Sequence, residues 1–268
     1  MHRYLRAVGF SKVHKREEYE ALAQFTAECY QSEETTVTAE GEEFSERRKA
    51  FADQMGLLAR GVYDENDEYH MDYCIPYFSG KTERFYEDMT IERQAEKEAY
   101  CGVCDDMNLG VTLIFYLQNV TEYLNKRRYG RSDSFSASLI LSGLSVEGKI
   151  LMPVYQKTPV VSEIKSNQER SRMIQAARNG DEDAIENLTL EDMDTYSMIS
   201  RRIADEDVFS IVTTHFMPCG VECDHYNIMG DILDVELREN SKTGEKIYVM
   251  TIESNSIVLD VCINEQDL

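Results

Sequence analysis

In the first half of the chain, a stretch with helical periodicity is followed by stretches with mostly strand patterning. Apolar residues recur at three- and four-residue steps from residue 16, which predicts a helix over residues 16–30. Residues 57–63 and 69–78 flank the polar run 64–68, so a β-hairpin is expected there. Residues 111–117 are rich in β-branched and aromatic side chains and predict a buried strand.

The second half changes from helical to strand patterning. Residues 161–204 have helical periodicity, with a predicted helix end at the Arg-Asn-Gly run 178–180. The last 60 or so residues alternate as strands do. The further predicted elements are a short helix over 121–128 and strands over 139–144, 149–155, 208–218, 226–238, 246–252 and 257–263.

Two of these predicted strands alternate with charged residues. Within 226–238, one face carries Leu233, Val235 and Leu237, and the other face carries Asp234, Glu236 and Arg238. In the last strand Asp260 lies opposite an apolar face. Such alternation is typical of antiparallel strands that are buried on one side only.

The element order is helix, strands, helices, strands. Segregated runs of this kind predict an α+β fold with antiparallel sheets and segregated helices. We expect an N-terminal α+β unit of mostly antiparallel strands over residues 1–158, and a helical segment followed by an antiparallel meander over 159–268. A short internal similarity extends this interpretation to two related sheet units. It consists of Cys101-Gly102-Val103 and Cys219-Gly220-Val221, each of which is followed by turn residues and a strand.

Charge narrows the range of partners. Fifty Asp and Glu residues against 28 Lys and Arg give a formal net charge of -22 over 268 residues. Nucleic acid and anionic membrane surfaces are therefore not expected as partners, because their phosphates would be repelled. The longest apolar stretch, 109–117, is well short of the ~20 residues of a membrane helix. No secretory signal opens the chain, so a cytoplasmic location is expected.

Four segments resemble an uncharacterised family, a domain of unknown function, from Gram-positive anaerobic bacteria. They are MHRYLRAVGFS at 1–11, GVTLIFYLQN at 110–119, ARNGDE at 177–182 and ECDHY at 222–226. The resemblance spans most of the chain. It implies a cytoplasmic domain and brings no activity, cofactor or catalytic residue with it.

Cysteines form the sharpest local motif. Cys101 and Cys104 have the two-residue spacing of zinc ligands or of a redox pair, but the adjacent Asp105 and Asp106 oppose thiolate formation. A second group of potential ligands, Cys219, Cys223 and His225, also precedes a predicted strand. The predicted zinc ligands are Cys101, Cys104, Cys219, Cys223 and His225.

Two alternatives to zinc stay open at these positions. The seven cysteines of the chain can equally be reduced, partly buried thiols of a cytoplasmic protein. Asp105, Asp106 and Asp224 offer oxygen ligands for Mg²⁺ or Ca²⁺, or side chains that open turns.

No complete catalytic constellation is recognisable in the sequence. Together with the dense acidic surface, this favours a non-enzymatic module that binds a protein partner or a small ligand, with no cofactor other than zinc. The alternative is a metal-dependent enzyme or a zinc-stabilised protein that uses the two cysteine groups, with Asp106 nearby. A third hypothesis is a structural or assembly role through the exposed edge of the C-terminal meander.

Overall fold

A computed structural model describes residues 3–82, 89–93, 98–106, 111–129, 139–151, 214–220, 224–254 and 257–268. Within these ranges strands dominate. In chain order they are β1 (Ser32–Val37), β2 (Glu43–Ala52), β3 (Met55–Tyr63), β4 (Tyr69–Phe78), β5 (Met89–Arg93), β6 (Tyr100–Asp106), β7 (Val111–Tyr116), β8 (Ser142–Ser145), β9 (His215–Pro218), β10 (Tyr226–Met229), β11 (Asp231–Glu239), β12 (Lys246–Ser254) and β13 (Ile257–Asn264).

Helices are few in the same ranges. The α-helices are α1 (Arg16–Glu28) and α2 (Val120–Tyr129), and short 3₁₀ helices cover Arg3–Val8 and Glu265–Asp267. The first turn of α1 is stabilised by the Glu18 carboxylate, which accepts the N–H groups of His14 and Lys15 at 3.0 and 3.1 Å. Such a contact satisfies backbone donors that a helix start leaves unpaired.

The strands within the described ranges form four sheets. The N-terminal sheet is an antiparallel meander in the order β1-β2-β3-β4, and a three-stranded sheet has the order β5-β6-β7. The C-terminal sheet has the order β11-β12-β13-β8, in which β8 pairs with β13 in parallel. A two-stranded sheet joins β9 and β10.

The largest apolar core joins the N-terminal sheet, α1 and the C-terminal sheet. Leu22 and Ala23 of α1 pack there with Leu57 of β3. Ile247 and Cys262, which are fully buried, contribute from β12 and β13. One face of the C-terminal sheet is therefore buried against the N-terminal part of the chain, which positions the site described below.

Several predicted elements are confirmed with small shifts in their ends. The helix expected over 16–30 is α1, the hairpin is β3–β4, and the final meander is β11–β12–β13. The strand expected over 226–238 is interrupted at Gly230 and forms β10 and β11. Strands β1, β2 and β6 were not predicted.

The α+β prediction is confirmed only in part. Antiparallel sheets dominate the described residues, and segregated helices are not seen among them. The helices predicted over 161–204 lie outside the described residues. Residues 149–151, from the strand predicted over 149–155, carry no strand.

The suggestion of two related sheet units gains no support from the short internal similarity itself. Cys101 and Gly102 lie inside β6, whereas Cys219 and Gly220 follow the end of β9, with Gly220 at a φ of 77°. The two cysteine–glycine pairs therefore have different local structures.

The chain divides into one compact unit of residues 1–149 with 214–268 and a second of 150–213. The predicted boundary between 158 and 159 lies outside the described residues. No helix within the described ranges is long and apolar enough to cross a membrane.

Candidate functional site

A polar cleft of about 220 Å³ opens between the C-terminal sheet and the segment that follows β4. Its sheet side is a single face, because Asp234 pairs with Thr251 across β11–β12 and Thr251 pairs with Asp260 across β12–β13. Directly opposed residues of antiparallel strands project to the same side. The lining residues are Phe78, Ser79, Gly80, Lys81, Thr82, Asp234, Glu236, Arg238, Val249, Thr251 and Asp260.

Asp260 anchors the segment that closes one side of the cleft. Its Oδ2 accepts the backbone N–H groups of Lys81 and Thr82 at 2.6 and 3.3 Å, and its Oδ1 accepts the Thr251 hydroxyl at 2.7 Å. Burial by itself would raise the pKa of Asp260, but these hydrogen bonds outweigh it and lower the pKa below its usual value. The segment is therefore held by an ionised carboxylate.

Gly80 allows the segment to approach Asp260 closely. A Cβ atom at this position would lie 2.9 Å from Asp260 Oδ2 and 3.0 Å from Ser142 Oγ. The Gly80 N–H donates to that same Ser142 oxygen at 2.8 Å. Any larger residue would push the segment away from its hydrogen-bond partners.

Opposite charges meet on the β11 side of the cleft. The buried Arg238 guanidinium donates to the Asp53 carbonyl at 2.6 Å and to the Glu236 carboxylate at 2.7 Å. Lys81 Nζ lies 3.6 Å from Glu236. The hydrogen bond from Arg238 is the largest cause that lowers the pKa of Glu236.

Two charged side chains of the cleft, Arg238 and Asp234, have atoms without a protein partner among the described residues. Arg238 Nε is buried and has no hydrogen-bond partner among the described residues, although the Arg238 side chain is only 5% exposed. Asp234 is exposed and has no ion-pair partner in the same ranges. A buried unpaired donor is costly unless a further acceptor satisfies it.

The predicted zinc ligands Cys101 and Cys104 lie on β6. Cys101 is opposite Tyr116 and Cys104 opposite Leu113 on the neighbouring strand. Because side chains alternate along a strand, residues three apart project to opposite faces of the sheet. Both cysteines are buried, and Cys104 packs in an apolar cluster with Leu113 and Phe216.

The second cysteine group is only partly described. The Cys219 N–H donates to the His225 carbonyl at 2.9 Å, and the His225 ring packs edge-on against Tyr4 with centroids 5.4 Å apart. Cys223 lies outside the described residues. Cys101, Cys104, Cys219 and His225 are not brought together as a group of three ligands, so a zinc site that uses the full set stays a prediction.

The oxygen-ligand alternative is described even less completely. Asp105 and Asp106 end β6, and Asp224 precedes β10. The side chains of Asp105 and Asp106 lie outside what the structure describes, so this set also stays a prediction.

Among the described residues, three potential metal ligands do cluster in the β3–β4 turn: Asp64, Glu68 and His70. Asp64 Oδ1 accepts the N–H groups of Asn66 and Glu68 at 2.8 and 2.9 Å, and Oδ2 lies 3.1 Å from His70 Nε2. Hydrogen bonds from the Glu68 backbone, from His70 and from the Asn66 backbone lower the pKa of Asp64 to about 2. We interpret this cluster as a turn closed by its own aspartate.

Sequence reasoning did not identify the cleft. The alternation that places Asp234, Glu236 and Arg238 on one face was visible, and so was the position of Asp260 opposite an apolar face. The missing information was that the segment after β4 packs over this polar face, a contact between residues about 180 positions apart.

Comparison with known proteins gives one assignment. No curated protein and no solved structure matches the chain significantly. The chain does match a family described as a domain of unknown function, DUF3881, after an E. rectale gene, and the match covers residues 5–268. The similarity extends over nearly the whole length, as the four resembling segments predicted. The chain therefore belongs to this bacterial family of unknown function.

Proposed function

We propose that the protein binds a small zwitterionic ligand, one with an ammonium and a carboxylate group in the manner of an amino acid, in the cleft beside Asp260. The observation that carries the proposal is the presence of both signs of charge on the cleft wall, with a buried Arg238 donor and an exposed Asp234 carboxylate that lack protein partners among the described residues. The buried Arg238 Nε lacks an acceptor and Asp234 lacks a cation among the described residues. A ligand that supplies a carboxylate and an ammonium would meet both needs.

The size of the cleft supports a small ligand. Its volume of about 220 Å³ lies below the ~300–1,000 Å³ of pockets for drug-sized molecules. The wall is already organised, because Asp260 fixes Lys81 and Thr82 through their backbone N–H groups. Pre-organisation lowers the entropic cost of binding.

The charge pattern supports a ligand with both signs of charge. Lys81 and Arg238 provide cations, and both already face Glu236. A simple anion would be repelled by Glu236 and Asp234, whereas a simple cation would leave Arg238 Nε unsatisfied. A zwitterion oriented with its carboxylate toward Arg238 and Lys81 offsets the repulsion from Glu236, because its ammonium is attracted to Asp234.

The test is calorimetric titration of the full chain with the common amino acids at millimolar concentration. For any amino acid that binds, we expect its N-acetyl and its amide derivatives to bind about tenfold or more weakly, because each has lost one charge-assisted contact. Asp234→Asn should weaken binding similarly. Asp231→Asn is the matched control, since Asp231 is exposed on the same strand and does not line the cleft.

Two results would contradict the proposal. One is the absence of a binding heat for every amino acid in the panel. The other is an equal loss in Asp231→Asn and Asp234→Asn, which would indicate a general charge effect. Lys81→Gln provides a second variant that should also weaken binding, because it removes a cation that faces the ligand carboxylate. It does not disturb the buried Arg238 guanidinium, because the Lys81 side chain is largely exposed.

A further inference from the structure

The other face of β11 exposes a row of apolar side chains, which we call the β11 stripe: Ile232, Leu233, Val235 and Leu237. Their relative exposures are 42%, 54%, 50% and 53%. Strand pairing places them together, because Ile232, Val235 and Leu237 lie opposite Ile252, Met250 and Tyr248 of β12, and Leu233 is the additional residue at a bulge. Scattered exposed apolar residues are common, but a contiguous row along one strand indicates an interaction surface.

The stripe lies at a sheet edge. In the order β11-β12-β13-β8, the described residues place β11 at the end of the sheet, with β12 as its neighbour on one side. The backbone groups on the outer side of an edge strand can pair with an added strand. An incoming strand would contact Val235 and Leu237 on one face of the sheet.

The charges of β11 indicate which kind of strand could pair with this edge. The strand carries four acidic residues, Asp231, Asp234, Glu236 and Glu239, and one basic residue, Arg238, whose charge is already engaged by Glu236. Edge strands in soluble proteins are often protected by lysines, which discourage pairing. Here the excess is acidic, so a basic strand would be attracted and an acidic one repelled.

A second copy of the chain fits this edge poorly. Antiparallel self-pairing centred on Val235 would align the apolar residues, but it would also place Asp234 opposite Glu236 of the second copy, twice. Pairing centred on Glu236 would place the two Glu236 carboxylates against each other, and it would place Asp234 only opposite Arg238, whose charge Glu236 already engages. Like charges directly opposite destabilise paired strands, and each chain also carries a net charge of -22.

We propose that β11 is the docking edge for an extended segment of another protein in which basic residues alternate with apolar ones. The segment adds as a fifth strand to the C-terminal sheet. Its apolar side chains extend the β11 stripe, and its basic side chains face Asp231, Asp234 and Glu236 on the other side of the strand. The β11 stripe is on the face opposite the cleft, whereas Asp234 lines the cleft, so the docking experiment is carried out without added amino acids.

The probe is a fluorescein-labelled peptide with the nine-residue length of β11 that alternates lysine and valine. Its affinity for the full chain is measured by fluorescence anisotropy. Two peptides serve as controls: one of the same composition with the lysines and valines in separate blocks, and one that alternates glutamate and valine. We expect both controls to bind at least about tenfold more weakly, because only the first peptide matches both faces of the edge.

Variants locate the binding surface. Leu237→Asn should weaken binding of the alternating lysine peptide by about tenfold or more without a change in net charge. Met217→Asn is the matched control, because Met217 is 47% exposed on β9 in a different sheet. Val235→Thr, which retains a β-branched side chain, provides a second variant if Leu237→Asn proves unstable.

The proposal is overturned if the block peptide binds as tightly as the alternating peptide, since attraction would then be unspecific. It is also overturned if Leu237→Asn and Val235→Thr bind like the unmodified chain. Light scattering measures the oligomeric state and so tests for a second copy of the chain at this edge. A dimer that Leu237→Asn converts to a monomer would also overturn the proposal, because a second copy would then occupy β11.

Discussion

At the scale of single residues, the most constrained group in the described part of the chain is the Glu46–Arg60 pair. Glu46 of β2 is fully buried and Arg60 of β3 is 2% exposed. One Glu46 oxygen accepts Arg60 Nε at 2.7 Å, and the other accepts the Thr121 N–H and hydroxyl at 2.9 and 2.6 Å. Arg60 also donates to the Leu117 carbonyl at 2.9 Å. The pair therefore fixes the N-terminus of α2 to the N-terminal sheet.

Glu46→Gln is expected to lower the free energy of unfolding by about 3–5 kcal/mol, because it leaves a buried guanidinium without its counter-charge. Urea denaturation measures the change. The matched control is Glu20→Gln, which removes the exposed Arg16–Glu20 pair of α1 and should leave the unfolding midpoint nearly unchanged. Equal unfolding midpoints for the two variants would contradict the structural role assigned to Glu46.

Asp260→Asn is expected to lower the free energy of unfolding at pH 7 by about 1–3 kcal/mol, because the charge-assisted hydrogen bonds to Lys81, Thr82 and Thr251 weaken. The pKa of Asp260 is lowered in the folded state. Its stabilising contribution is therefore complete above the unfolded pKa of ~3.9 and is lost as the pH falls through the lower folded pKa.

The difference between the unmodified chain and Asp260→Asn should consequently shrink as the pH is lowered from 7 to 3. Urea denaturation at both pH values measures it. Asp231→Asn, at an exposed position on β11, should have little effect at either pH. A difference that grows on acidification would show that the sign of the linkage is wrong.

At the scale of elements, two of the strands that were not predicted, β1 and β2, have charged residues that are paired across the sheet. β2 contains Glu46, Arg47, Arg48 and Lys49 in succession, a run that lacks strand alternation. In the folded chain Arg47 donates to Glu33 of β1 at 2.8 Å. Burial by itself would raise the pKa of Glu33, but hydrogen bonds from Arg47, Ser45 and Tyr63 lower it to about 2. Partners on other strands make such a run compatible with a sheet.

The C-terminal sheet allows a direct comparison of its buried and exposed apolar positions. Leu259 of β13 is 3% exposed, whereas Leu237 of β11 is 53% exposed. Leu259→Ala should therefore lower the free energy of unfolding by about 2–5 kcal/mol, and Leu237→Ala by less than about 1 kcal/mol.

Thermal and urea unfolding of both leucine variants measure these changes. The two substitutions remove the same atoms from the same sheet, so the comparison depends on burial alone. Similar losses in the two variants would show that β11 is covered in solution.

At the scale of the whole molecule, the excess of carboxylates sets how stability responds to salt. With a net charge of -22 at pH 7, the folded chain is destabilised by repulsion among its own side chains. Raising sodium chloride from ~10 to ~150 mM shortens the Debye length from ~30 to ~8 Å and weakens that repulsion. The midpoint of thermal unfolding at pH 7 should therefore rise with salt.

The control for this effect is the same salt series near the isoelectric point of about 4.6. At that pH the net charge is close to zero, so the midpoint of thermal unfolding should rise much less with salt. A salt response of equal size at both pH values would indicate specific ion binding or a general solvent effect instead of charge repulsion.

Much of the secondary structure was predictable, and the cleft was not. Helix α1, the β3–β4 hairpin and the final meander have a regular period of apolar residues within a single segment. The alternation of β11 was also predicted correctly. However, its apolar side chains are about half exposed, and Arg238 on its polar face is buried. Periodicity distinguishes the two faces of a strand, but it does not show which face another segment covers.

By itself, the sequence determined the features that arise from neighbouring residues: the periods of helices and strands, the polar turn at 64–68, the charge of the molecule and the bacterial family. The tertiary structure alone decided which groups meet. It directs Cys101 and Cys104 to opposite faces of β6, buries Glu46 with Arg60, and brings Lys81 to Asp260. The physical reason is that burial and hydrogen bonding depend on contacts between distant segments, which no local pattern encodes.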